Sequence, residues 1–216
     1  MTTTLEPATT YRMFQEFLDE LGGISPARVC MIPPPGLATE QDVINADDHQ
    51  DRLCELVEGV LVEKPMGLKE SILAAALIQY LGIYVRARKL GVIAGEAGMV
   101  RLMPGLVRIP DVSFISYSRL TDGKVPGESI PPIAPDLVVE VLSASNTVRE
   151  MARKRREYFQ AGSLLVWEVD PEKRQVDVYE EAEHCKTLTT KDSLDGGKVL
   201  PGFSLSLNEL FAVLDR

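Results

Sequence analysis

The chain has 216 residues, 45% of them apolar and 25% charged, enough for one sizeable core and too ordinary for a disordered or fibrous protein. A net charge of −9 and a pI near 4.9 argue against a basic, sequence-indifferent coat for nucleic acid. They leave room for an enzyme that meets a phosphate backbone through one local basic patch.

Cys30, Cys54 and Cys185 stand far apart without CxxC or CxxH spacing, and the isolated His49 and His184 do not complete a zinc site. Reduced thiols and a start without a basic-then-apolar segment predict a cytoplasmic protein. The longest apolar run, Ile72 to Leu81, is interrupted by Gln79 and is too short for a bilayer, so no membrane partner is expected.

In chain order, Met1 to Pro7 lacks apolar periodicity and is expected to be disordered. Tyr11 to Leu21 reads as a short amphipathic helix stopped by Gly22-Gly23. After the Pro-rich connector at 32–36, Thr39 is placed to cap a second helix with Asp42 in its first turn. Residues 52–64 predict a hairpin turning at Glu58-Gly59. Leu68 to Lys89 is the clearest helix, with basic residues in its last turn and Gly91 as its stop.

Val92 to Met103 predicts one or two strand segments, and Val107 to Tyr117 one more. Asp136 to Leu142 is nearly all apolar and predicts a central strand buried on both faces. Thr147 to Ala161 is a helix ending at Gly162, and Thr147 with Glu150 matches a capping box. Leu164 to Val169 and Gln175 to Tyr179 are further strands, and Asn208 to Leu214 closes the chain as a short helix. The order predicts an α/β protein: an N-terminal helical extension over residues 1–50 packed on a domain over 51–216, together one compact body.

Chemistry concentrates on a few residues. Glu140 interrupts an otherwise apolar strand, where an unpaired carboxylate is costly, so it needs a proton, a cationic partner or a metal. An arginine ion pair would serve as well as a metal. Asp111 follows Pro110 at the start of a strand; alone it reads equally as a turn residue. Two acids on neighbouring strands, about 4.8 Å apart, could share one hard divalent cation such as Mg²⁺.

Lys154 lies about 13 Å out along the strand from Glu140 and roughly 12 Å back along the helix, so the two come level. An i,i+4 salt bridge with Glu150 is the competing explanation. The helix also carries Arg149, Arg153, Arg155 and Arg156, either a solvated face or a phosphate contact. Glu70 complements the helix dipole or adds a third carboxylate. No P-loop, GxGxxG, GxSxG or HExxH motif is present.

Pro110-Asp111, Glu140 and Lys154 together resemble the PD-(D/E)xK restriction-endonuclease-like superfamily, and more closely its Uma-two branch. The resemblance also rests on residues 55–66, 108–114, 135–143 and 200–203, and on Tyr158-Phe159 and Val166-Trp167. It implies an αβββαβ core, a mixed central sheet flanked by helices with N-terminal helical and hairpin additions. It implies Asp111, Glu140 and the Val141 carbonyl as ligands of Mg²⁺ or Mn²⁺, and Lys154 as the lysine that orients the nucleophile or stabilises the transition state. The superfamily lysine two residues past the acid is Leu142 here, so the lysine has moved to the helix. Hydrolysis of DNA phosphodiesters is the implied activity, with a homodimer as one arrangement and Tyr80 and Tyr84 or the N-terminal segment as its contact. The alternatives are a catalytically idle nuclease fold serving as a binding or regulatory module and a hydrolase of another phosphate ester.

Overall fold

The computed structural model describes residues 13–50, 52–65 and 67–215. The segment Met1 to Pro7, expected to be disordered, lies outside them. Helix α1 (Phe14–Glu20) and a 3-10 turn at Pro26–Arg28 lead into α2 (Glu40–Gln50). The Thr39 amide and hydroxyl donate to Asp42 Oδ2 at 2.8 and 2.7 Å, closing the start of α2.

Strands β1 (Cys54–Val57) and β2 (Val60–Glu63) form the expected hairpin. Its turn is left-handed at both Glu58 (φ 52°) and Gly59 (φ 77°), matching the twist of the two strands. A Cβ at position 59 would lie 2.7 Å from the Gly36 carbonyl, so the turn also needs glycine for space.

Helix α3 (Leu68–Arg88) buries Leu73, Leu77, Leu81 and Val85. It passes for a membrane span by length and composition, but this ridge belongs to the main core. The helix closes at Lys89 (φ 53°), before the expected Gly91. Gly91 instead opens β3 (Gly91–Ala94), where a Cβ would come within 2.1 Å of the Ile115 carbonyl oxygen.

Next come β4 (Val100–Met103), β5 (Leu106–Arg108) and β6 (Val112–Ser116). The single strand expected over Val107 to Tyr117 is thus two strands, lying in different sheets. The chain crosses between them at Ile109, Pro110 and Asp111, where Pro110 has no amide to continue a ladder.

The remainder is β7 (Leu137–Val141), α4 (Val148–Ala161), β8 (Leu165–Asp170), β9 (Gln175–Tyr179), β10 (Cys185–Thr189), β11 (Ser193–Gly196), β12 (Leu200–Ser206) and α5 (Leu207–Phe211). Strands β10 and β11 have no counterpart in the sequence reading; their residues are mostly exposed or polar and carry little apolar pattern.

The larger sheet runs β10-β9-β8-β7-β6-β3, the second β2-β1-β5-β4, and β11 pairs with β12. Among the described strands only β7 and β8 pair in parallel, joined by the α4 crossover. In chain order α3, β3, β6, β7, α4 and β8 make the αβββαβ core. Leu137, Val139 and Val141 face the cluster containing α3 and α5 residues, whereas Val138 packs with Tyr158 of α4. Glu140 shares the Val138 side by the two-residue period of the strand, which turns it toward α4. Tyr80 and Tyr84 are engaged within the chain, their hydroxyls donating to Glu209 and to the Pro201 carbonyl.

Candidate functional site

The register of β6 and β7 sets Val112 opposite Val139, and Asp111 stands immediately before that last paired rung while Glu140 follows it on β7. The Asp111 amide extends the ladder to the Val139 carbonyl at 3.1 Å. Both acids are buried, at 3% and 4% exposure. Asp111 Oδ2 accepts the Val141 amide at 2.5 Å, and Oδ1 lies 2.7 Å from Lys64 Nζ.

Glu140 Oε1 accepts from the Tyr158 hydroxyl at 2.5 Å and from Lys154 Nζ at 3.4 Å. Its Oε2 has no hydrogen-bond partner among the described residues. Burial holds the Glu140 carboxyl above the ordinary carboxylate range, against the pull of Lys154 and Lys64. Burial and the neighbouring carboxylate likewise push Tyr158 well up, so it stays a donor.

Lys154, 2% exposed, lies between Glu140 and Glu55, with Nζ 3.0 Å from Glu55 Oε1. The competing salt bridge with Glu150 does not form. Glu150 takes a two-pronged bond from Arg28, at 2.9 and 2.8 Å, and completes the capping box with Thr147. The two facing carboxylates hold Lys154 above its ordinary value despite its burial.

Glu55, fully buried, also accepts Arg108 Nη1 at 2.7 Å and the Ile109 amide at 3.3 Å. Arg108 reaches on to Glu157 on α4, and so ties the second sheet to the helix. Sequence reasoning missed Glu55 as a site residue. Its signal was the same as that of Glu140: an acid flanked by apolar residues in Leu53-Cys-Glu-Leu-Val57. It also missed Lys64 and Arg28, whose neighbours in the chain give no hint of their partners.

The four arginines of α4 are matched by acids of this chain. Arg153 and Arg155 meet Glu157 and Glu168 at 2.7 Å, and Arg149 and Arg156 lie looser on Asp19 and Glu183, at 3.5 and 3.8 Å. That leaves the solvated, internally balanced face as the better description of this stretch.

Lys64, Glu70, Asp111, Glu140, Val141 and Asn146 wall one narrow cleft of about 20 Å³. Glu70 and Asn146 also wall a neighbouring groove of about 400 Å³, bounded by Ser143, Thr147 and Glu172. Glu70 serves the cleft wall and the helix start together: its Oε2 would lie 2.2 Å from a Cβ on Gly67, the N-cap of α3.

Among the described residues no three Asp, Glu, His or Cys side chains converge into a ready-made ligand set. The cleft is lined by the carboxylates of Glu70, Asp111 and Glu140 and by Val141, and by no thiol or imidazole. That donor set suits Mg²⁺ or Mn²⁺, which fill their remaining positions with water and phosphate oxygens, and it does not suit structural zinc.

The model of the Uma2 family, described as "Putative restriction endonuclease", matches residues 40–208. The chain belongs to the Uma2 family. Every acid and lysine of the cleft falls inside the matched stretch; Arg28 lies before it. No curated protein matches the sequence. Among solved structures, a "putative nuclease belonging to DUF820" from Anabaena variabilis aligns with a TM-score of 0.67 at 21% identity, covering 76% of this chain and 92% of that one. The fold is therefore restriction-endonuclease-like, in keeping with the description of the family.

Proposed function

We propose that this Uma2 protein is a metal-dependent endonuclease that hydrolyses phosphodiester bonds, with DNA as substrate and Mg²⁺ or Mn²⁺ as cofactor. The observation that carries the reading is the convergence of two buried carboxylates, Asp111 just before β6 and Glu140 near the end of the neighbouring β7, on one cleft. Asp111, Glu140 and the Val141 carbonyl would hold the cation. When bound, it neutralises charge building on the phosphate and makes water a better nucleophile at neutral pH.

The chain's own residues do the positioning. Tyr158 and Lys154 grip Glu140 Oε1, which would leave Oε2 for the cation. The Val141 amide fixes Asp111 Oδ2 and so sets the rotation of that carboxylate. Glu55 holds Lys154 from behind, which keeps its charge directed at Glu140. The cleft is narrow and walled by charged side chains, so these groups act with little water between them and little reorganisation during the reaction.

The test is cleavage of supercoiled plasmid by the purified chain with Mg²⁺ or Mn²⁺, alongside Asp111→Asn and Glu140→Gln. Each substitution is expected to abolish cleavage while far-UV circular dichroism stays that of the parent. Full activity in either folded variant would overturn the assignment. Parallel incubations with single-stranded DNA and with RNA decide the substrate class.

A further inference from the structure

The lysine lying against Asp111 is not the one on α4. Lys64, just past the end of β2, has its ammonium 2.7 Å from Asp111 Oδ1, and its side chain is only 7% exposed. The same ammonium donates to the Ile109 carbonyl. Because the Val141 amide occupies Oδ2, both oxygens of Asp111 already carry a donor. A cation placed on Asp111 must therefore share that carboxylate or displace a donor from it.

Displacing the amide would break into the strand edge, whereas displacing the ammonium moves only a side chain. The Lys64 backbone can stay where it is, its amide bonded to the Leu53 carbonyl at 2.8 Å. Space argues the same way, since about 20 Å³ is room for about one water-sized group.

Charge agrees as well. Two buried carboxylates lining one cleft repel, and each needs a positive neighbour. Lys154 serves Glu140, and Lys64 serves Asp111. A doubly charged ion beside that ammonium would set like charges together where screening is weak. Release of Lys64 removes the repulsion.

We propose that Lys64 is a resident counter-ion that occupies Asp111 and yields it to the divalent cation. The cleft is then neutralised and closed until the metal arrives. This rests on the metal-dependent reading above.

Calorimetric titration of the full chain with Mn²⁺ tests it, comparing the parent with Lys64→Met, Lys64→Gln and Lys64→Arg. Neutral variants are expected to bind Mn²⁺ about ten- to a hundredfold more tightly, because one charge-assisted bond no longer has to be given up. Lys64→Arg, still cationic, should stay near the parent. If Lys64→Met leaves Asp111 too poorly compensated to fold without metal, Lys64→Gln keeps a donor for Asp111 or the Ile109 carbonyl. Thermal melts give a second readout, with Mn²⁺ raising the Tm of a neutral variant more than that of the parent. Parent binding with equal or weaker binding by the folded neutral variants overturns this inference and leaves the metal reading intact. No Mn²⁺ binding by the folded parent or by the variants overturns both.

Discussion

Replacing Glu55 by alanine tests the ionic network behind the cleft most directly. Glu55 is fully buried and accepts Lys154 Nζ at 3.0 Å, Arg108 Nη1 at 2.7 Å and the Ile109 amide at 3.3 Å. Its removal strands two buried cations, each left with its remaining carboxylate, Glu140 for Lys154 and Glu157 for Arg108. Breaking a buried pair from one side costs about 3–5 kcal/mol. In a domain of this size each kcal/mol moves Tm by about 2–4 °C, so the expected loss is roughly 6–20 °C.

Urea denaturation should show the midpoint falling with an unchanged slope, since the surface exposed on unfolding is nearly the same. The double variant Glu55→Leu with Lys154→Met, which removes the pair from both sides, should recover part of the loss. The acid limb of stability is a second readout. Burial alone would raise the Glu55 pKa, but Lys154, then Arg108 and Lys64, hold it well below its ordinary value of 4.5. A group depressed in the folded state contributes stability above its unfolded pKa and loses that contribution as the pH falls toward the folded one. Glu55→Gln should therefore show a flatter decline below about pH 4.5 than the parent. A loss under about 1 kcal/mol in Glu55→Ala, within reach of an ordinary surface change, would refute the reasoning.

Two further outcomes follow from other parts of the fold. Burial, reinforced by Cys30 at 3.8 Å, pushes the Cys54 thiol up to about 12, while Cys185 is exposed. Iodoacetamide at neutral to mildly alkaline pH should label Cys185 and spare Cys54 in the native protein, as read by peptide mass spectrometry; equal labelling would contradict that burial. The thiol's contribution to stability is complete below its ordinary 9.0 and is lost as the pH rises toward about 12. Gly22, at φ 93°, would carry a Cβ 2.6 Å from Glu150 Cα, so Gly22→Ala should cost about 1–3 kcal/mol in denaturant titration, and a neutral result would show that α1 does not seat on α4 as described.

Several elements were legible from local pattern alone. The apolar run of β7, the capping box of α4 and the Glu58-Gly59 turn are each set by residues within a few positions of one another. The burial of Glu140 was legible for the same reason, as an acid among apolar neighbours must be inside. So was the approach of Lys154, because strand and helix rise per residue are constants of the backbone.

What local pattern could not decide was which distant groups answer those buried charges. Lys64 meets Asp111 across 47 positions and Arg28 meets Glu150 across 122, so both pairs depend on how the sheets and helix α4 stack. The missed crossing at Ile109, Pro110 and Asp111 shows why. One apparent strand splits between two sheets, and that split brings Lys64 from the edge of the second sheet to Asp111, and Glu55 and Arg108 of that sheet to Lys154 and Glu157 of helix α4. From the sequence by itself, Asp111 and Glu140 were acids in need of partners. Only the tertiary structure supplied them, because a buried charge fixes the sign of its neighbour while sheet order and register choose the residue.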